Sequence, residues 1–404
     1  MSFQQGLSGL NAAAKNLDVI GNNIANSSTV GFKGSSALFA DVFANTAAGA
    51  TNSSIGIGTS VSQIAQSFTQ GNIETTSNPL DVAINGQGFF RLSNNGALSY
   101  TRNGQFIRDK DGFFVTPTGQ YLTGYPPLPD GSGVSTSSPV NLQVALSDLA
   151  PEPTTEATLG VSLVPSEALP TNAPFDASDA TTFNRSTSLS VYDSLGGQHV
   201  LSIYFAKTAS NNWDVYAALD NTQVGGGSIG SMAFTAAGVA SSIPIMNLNM
   251  PVTNGAANIA MTLDLRRSTQ YSSAFSTTPP DQDGFPAGSP TGFSIAKDGM
   301  IVSTYSNGQT RVQGQIALSN FINPGGLQIL GSNQWAETSE SGQPATGTPG
   351  AGNLGVLQSG ALESSNVDMT AELIDLITAQ RVYQANAQTI KTQDSVLQTL
   401  VNLR

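Results

Sequence analysis

The final 44 residues, 361–404, contain neither glycine nor proline, although the chain carries 42 and 20 of these. Within that stretch apolar and small residues, with Gln380 and Asp394 as polar members, recur at alternating steps of four and three: Met369, Leu373, Leu376, Gln380, Tyr383, Ala387, Ile390, Asp394, Leu397 and Val401. Residues so spaced share one face of a helix and form a heptad seam. Asn366 or Asp368 is the expected N-cap, and Glu372 and Asp375 in the early turns suit the helix dipole. At 1.5 Å per residue, a helix of about 35 residues runs about 50 Å. No compact domain needs such a helix at its very end, so one stripe must be buried against something else.

The opposite end of the chain repeats the spacing. Phe3, Leu7, Leu10, Ala14, Leu17, Gly21 and Ile24 lie on one helical face. For either segment alone, an amphipathic helix packed on its own domain explains the pattern. Two such seams at the extremes of 404 residues point instead to terminal helices that pair. Gln380 and Asp394 occupy seam positions, where polar residues lower stability but fix register. Gly6, Gly9 and Gly21 each cost up to about 1 kcal/mol relative to alanine in a helix, so the pair is marginal unless neighbouring copies bury its remaining faces.

Composition removes several function classes. Only 15 residues are Lys or Arg, against 27 Asp or Glu, for a net charge of −12. With no basic run, a nucleic-acid partner is not expected. Absence of cysteine rules out disulfides and thiolate metal sites. The single histidine, His199, would have to carry any zinc or Ser-His-Asp chemistry, and it follows Gly196-Gly197-Gln198 as an expected exposed residue beside a turn. No basic segment followed by an apolar core opens the chain, so no cleaved secretory signal is expected, and no run of 18 apolar residues would insert in a membrane.

Between the helices the chain reads as β-rich. Residues 27–76 are dominated by Ser, Thr, Ala, Gly and Asn, and read as irregular structure with short extended pieces. From Asn78-Pro79 onward, Asn85-Gly86, Asn94-Asn95-Gly96, Asn103-Gly104 and Asp109 to Gly112 mark hairpins between short apolar runs. A second block, 145–284, has period-two strands at Leu201, Ile203 and Phe205 and at Ile259, Met261, Leu263 and Leu265. Pro279 to Gly284 reads as its exit linker. Strand signals resume from Phe293 to Phe321, with turns at Lys297-Asp298-Gly299 and Ser306-Asn307-Gly308, and 342–355 reads as a flexible passage to the last helix. The expected organisation is therefore α+β and multidomain. Residues 1–26 with 366–404 form a coiled-coil helix pair, 27–76 with about 342–365 connect, 77–144 with 285–341 form a split β domain, and 145–284 is an inserted outer β domain.

No catalytic constellation emerges. Gly225, Gly227 and Gly230 match a dinucleotide fingerprint, but no helix pattern follows and 240–260 holds no acid. Asp281 and Asp283 lack the glutamate of a calcium loop. No cofactor, metal or enzymatic activity is expected.

Ser8-Gly9-Leu10-Asn11-Ala12-Ala13, then 16–27 (Asn-Leu-Asp-Val-Ile-Gly-Asn-Asn-Ile-Ala-Asn-Ser), then Val30-Gly31-Phe32-Lys33, closely resemble the N-terminal signature of the bacterial flagellar rod and hook proteins. Ser364, Asn366-Val367-Asp368 and 380–392, from Gln380-Arg381 to Lys391-Thr392, resemble the matching C-terminal end. Length and the segment Leu80-Asp81-Val82-Ala83-Ile84 with Gly88-Phe89-Phe90 resemble the hook members. The distal rod protein is the nearest alternative, expected to be shorter and to lack a block like 145–284. The resemblance implies a homo-oligomeric helical polymer, a curved tube that acts as a universal joint, with terminal helices inside and β domains outside. It also implies contacts with distal rod, hook cap and hook–filament junction proteins, export by the flagellar type III apparatus, and a place in the extracellular hook. The polymer-interface residues it selects are Phe3, Leu7, Leu10, Leu17 and Ile24, facing Leu373, Leu376, Tyr383, Ile390, Leu397 and Val401 or their copies in adjacent subunits. Two rival readings are a secreted β-rich adhesin, which predicts a glycan-binding monomer that tolerates loss of its termini, and an enzyme with an unrecognised acidic pair, which predicts turnover abolished by one carboxylate change.

Overall fold

The structure, a computed structural model, describes residues 2–42, 56–129, 131–135, 137–145 and 147–402. The fold is α+β. Helix α1 (Ser2–Ala25) opens the chain and α2 (Met369–Asn402) closes it, with short strands between. The chain divides into two compact units: Met1–Leu146, Phe293–Ser303 and Thr310–Arg404 form the first, and Ser147–Gly292 with Thr304–Gln309 the second.

In the first unit α1 gives way to a long antiparallel hairpin, β1 (Ser35–Val42) and β2 (Gly58–Gln66), with a bulge at Leu38/Phe39. Among the described residues of 27–76, the short extended pieces expected there are regular strands. Most of their side chains are exposed, so no alternation of apolar and polar residues betrays them. The strands Thr310–Ile316, Tyr121–Tyr125, Phe89–Asn94, Ala97–Thr101, Gln334–Ala336 and Gln328–Gly331 then lie side by side in that order. Residues far apart in sequence share this sheet: Leu318 pairs with Phe90, and Trp335 with Tyr100. Asn95 and Gly96, both at positive φ, make the tight turn that joins Phe89–Asn94 to Ala97–Thr101. Asn103-Gly104 makes no such turn. A Cβ on Gly104 would lie 1.7 Å from the Val82 carbonyl oxygen, so this glycine serves a close backbone crossing. The 342–355 passage is also no free linker: Ala345–Gly347 pairs with Leu318–Asn320, and Leu354 packs on the core around Ile84, Phe90 and Leu318.

The second unit closes on its own core. Its main sheet runs Arg185–Tyr192, Gln198–Ala209, Asn212–Leu219, Gly230–Phe234 and Ala240–Ser242, every pair antiparallel. Leu201, Ile203, Phe205, Trp213 and Val215 are fully buried from this sheet, and Leu263 and Leu265 join them. The period-two residues of the sequence are thus the core. A strand, Gly230–Phe234, follows Gly225–Gly227 where a nucleotide site would need a helix. Asp281–Gln282 is not part of a linker but an edge strand paired with Glu156–Thr158, and Asp283 accepts the backbone N–H groups of Thr155 and Glu156. Pro279 and Pro280 precede this strand, where a missing N–H is tolerated.

Candidate assembly surface

The two helices pair through their smallest residues. α1 and α2 run antiparallel: Gly6 lies against Ile390, Gly9 against Asn386, and Asn23 against Glu372. A Cβ on Gly6 would be 3.1 Å from Ile390 Cγ1, and one on Gly9 would be 2.9 Å from Asn386 Oδ1. These glycines therefore weaken the isolated helix but let the axes approach. Ala12, Ala13, Val19, Ile20 and Asn23 complete the buried side of α1, while on α2 Ala379 alone is fully buried among the described side chains. A cavity of about 660 Å³ remains between the pair and β1, lined by Ala13, Ile20, Phe39, Asp375 and Val382 among others.

Polar groups set the ends. Asp368 is the N-cap of α2, its Oδ1 accepting the N–H of Thr370 at 2.8 Å and of Ala371 at 3.3 Å. Asn366, the other cap candidate, instead accepts the Gly34 N–H and donates to the Ser67 and Thr69 carbonyls. Asn23 is 3 % exposed and donates to both the Ser35 carbonyl (2.8 Å) and Glu372 Oε1 (2.9 Å), while accepting the Ser35 N–H. It locks the end of α1, the start of β1 and the first turn of α2 together. At the far end of α1, Gln5 donates to the Gly56 carbonyl and Ser8 accepts the Thr59 N–H, so the hairpin lies along the helix.

Below the helices sits a buried ionic knot that the sequence did not reveal. Glu363 receives Lys33 Nζ on Oε1 (2.6 Å) and Arg102 on Oε2 (2.8 Å), and the three side chains are 0, 1 and 5 % exposed. Lys33 also donates to the Thr69 carbonyl, Arg102 to the carbonyls of Gly86 and Gly88, and the Gly71 N–H to Glu363. Burial pushes the Lys33 pKa down, and the Glu363 charge opposes it. Gly31, at φ +69°, donates its N–H to the Glu363 carbonyl; a Cβ there would lie 2.7 Å from the Asn103 nitrogen. The knot thus joins both connectors to the β sheet. Phe68 adds edge-on contacts to Phe89 and Trp335, and Trp335 donates to Gln66 of β2. Its one sequence signal was an acid, Glu363, directly after the apolar Ala361-Leu362.

The eleven residues singled out from the seams fall mostly on other faces. Phe3 and Leu7 are each 44 % exposed, and Leu10, Leu17 and Ile24 are half-buried. On α2, Leu373, Tyr383, Leu397 and Val401 are exposed, while Leu376 and Ile390 are half-buried. Of these, Ile390 meets α1, at Gly6. Ile374, Ile377, Val382 and Val396, which the seam omits, are exposed too. Apolar side chains therefore emerge from several sides of α2, not from one stripe.

His199 departs from expectation in a different way. Its side chain is 13 % exposed and lies between Asp193 and Asp220, because the two flanking turns fold their carboxylates over it. Among the described residues, no cluster of three His, Cys, Asp or Glu has metal-binding geometry, and no helix is long and apolar enough to cross a membrane.

Four family models cover most of this architecture. Residues 3–33 match "Flagella basal body rod protein", 83–149 "Flagellar hook protein FlgE/F/G D1 domain", 162–285 "Flagellar basal body protein FlaE D2 domain", and 358–403 "Flagellar basal body rod FlgEFG protein C-terminal". These matches put the chain among the axial proteins of the bacterial flagellum. Full-length relatives narrow the class. The flagellar hook protein FlgE of Escherichia coli is 44 % identical over 100 % of both chains, that of Salmonella typhimurium 43 % over 100 % of both, and that of Brucella suis 31 % over 100 % of this chain and 98 % of its own. The chain belongs to the flagellar hook protein family. A solved flagellar hook protein of Helicobacter pylori shares the fold at a TM-score of 0.54 and 17 % identity, over 72 % of this chain and 99 % of its own.

Proposed function

We infer that this chain is the structural subunit of the flagellar hook, assembling with copies of itself into a flexible tube that couples the motor rod to the filament. One observation carries the reading beyond kinship. The helices approach each other at Gly6, Gly9 and Asn23 and leave Phe3, Leu7, Leu373, Ile377, Leu397 and Val401 exposed. A helix apolar on several sides is a helix meant to be surrounded. Burying each leucine contributes about 1.5–3 kcal/mol, and the same contact recurs in every copy.

On this reading the eleven seam residues, Phe3 to Ile24 and Leu373 to Val401, form the interface between subunits. The helix pair (1–26 with 366–404) makes the inner tube, 27–76 with 342–365 connects, 77–144 with 285–341 forms the middle layer, and 145–284 the outer one. The work is mechanical and requires no catalysis. Neighbours at the tube ends are the distal rod, hook cap and hook–filament junction proteins. Subunits leave the cell through the flagellar type III apparatus. Electron microscopy of the concentrated purified chain tests the reading: it should show tubes of uniform diameter. A chain that stays monomeric at every concentration and binds glycans would favour the adhesin.

A further inference from the structure

We propose that His199 is a proton-read latch, which holds one end of the second unit closed while charged and releases the turn at Asp220 when neutral. His199 is the chain's sole histidine and is the second residue of the strand Gln198–Ala209. Its Nε2 lies 2.9 Å from Asp193 Oδ2 and its Nδ1 2.6 Å from Asp220 Oδ2. Ionised carboxylates only accept hydrogen bonds, and a neutral imidazole has one N–H. Both contacts are hydrogen bonds only in the doubly protonated ring. In the neutral ring one nitrogen would aim a lone pair at an anion.

The charged groups facing the ring come from two turns. Asp193 opens the turn before the ring's own strand, directly after the strand Arg185–Tyr192, and Asp220 follows the neighbouring strand Asn212–Leu219. The third neighbour, Asn254, is neutral and donates to Asp193 Oδ2 at 2.5 Å. Each carboxylate also shapes backbone: Asp193 Oδ1 accepts the N–H groups of Leu195 and Gly197, and Asp220 Oδ1 that of Val200. Three segments of one unit therefore converge on a single proton-dependent ring.

The two carboxylates are not equivalent. Asp193 is fully buried and held by three further donors, whereas the Asp220 side chain is 52 % exposed. A neutral ring keeps its N–H toward Asp193, which cannot leave, and Asp220 swings into solvent. Burial by itself would lower the His199 pKa, but the hydrogen bonds to Asp220 and Asp193 outweigh it and raise it. The stabilising contribution of such a group is complete below its ordinary value of about 6.5 and is lost as pH rises through the raised folded value.

Because the ring is unique, long-range ¹H–¹⁵N spectroscopy of the full chain reads it directly. Below about pH 6.5 both nitrogens should carry protons; titration should show one midpoint above that value and end in the Nε2–H tautomer. Across the same midpoint the protection of the Val200 amide from exchange, corrected for base catalysis, should fall several-fold. In D220N the midpoint should drop and the fall in protection should vanish. A midpoint at or below about 6.5, or an unchanged midpoint in D220N, would each overturn the proposal.

Discussion

The second unit and the terminal helices solve the burial problem in opposite ways. In the second unit the large side chains face inward: Trp213, Phe205, Ile203 and Leu263 are fully buried, and polar residues alternate with them on the outside. In the helix pair most inward residues are glycines, alanines and asparagines, with Val19, Ile20 and Ile390 the larger exceptions, while Leu373, Leu397 and Val401 are exposed. Burial of about 25 cal/mol per Å² of apolar surface drives both arrangements. The difference is where the partner surface comes from. The β unit supplies its own, and in the proposed assembly the helices take it from another copy.

Substitutions at the two kinds of site should therefore separate stability from assembly. The largest loss should come at the knot joining helices to sheet. Glu363→Gln leaves Lys33 and Arg102 buried without their anion, a change that costs about 3–5 kcal/mol, read as an earlier melting transition of the first unit by calorimetry. A transition that does not move would mean that the carbonyls of Thr69, Gly86 and Gly88 satisfy both cations unaided. Next comes Ile203→Ala, which opens a cavity in a closed core and costs about 2–5 kcal/mol; only the second unit should melt earlier, and tubes should still form. Loss of tubes with Ile203→Ala would erase the division between the regions. A smaller effect is expected where the helices touch: Gly9→Leu overpacks the seam against Asn386 and costs about 1–3 kcal/mol, seen as reduced helicity in circular dichroism while both β transitions stay fixed. Unchanged helicity would show that α1 and α2 do not need this close approach.

The existence of both helices and of the period-two core was legible in the sequence, because each rests on a periodic pattern within one segment. The absence of glycine and proline after Gly360 announced α2, and Leu201, Ile203 and Phe205 announced their strand. Which face of each helix turns inward was not legible. A periodic apolar pattern weights faces by side-chain size, which favours Phe3, Leu7 and Leu10 over Gly6, Gly9 and Ala13. In a helix pair that packs closely, the smallest residues mark the contact. The knot was hidden for another reason: Glu363 lies 330 residues from Lys33 and 261 from Arg102, and no local pattern connects them. The hairpin β1–β2 escaped because both its faces are exposed, which removes the alternation a strand usually shows. Leu403, which with Leu397 and Leu400 makes the chain end leucine-rich in sequence, lies outside the described residues.

The central claim is that α2 serves the polymer more than its own subunit, and the end of that helix tests it with the smallest expected disturbance of the monomer. Truncation after Gln393 removes Leu397 and Val401, both exposed, and no residue of either hydrophobic β core. Exposed positions of this kind change stability by about 0.5 kcal/mol or less, whereas the lost contacts recur in every copy of a tube. Sedimentation of the truncated chain should find no polymer at concentrations where the full chain pellets, and calorimetry should find both β transitions unmoved. Normal tubes from the truncated chain, or a β core that melts much earlier, would contradict the account.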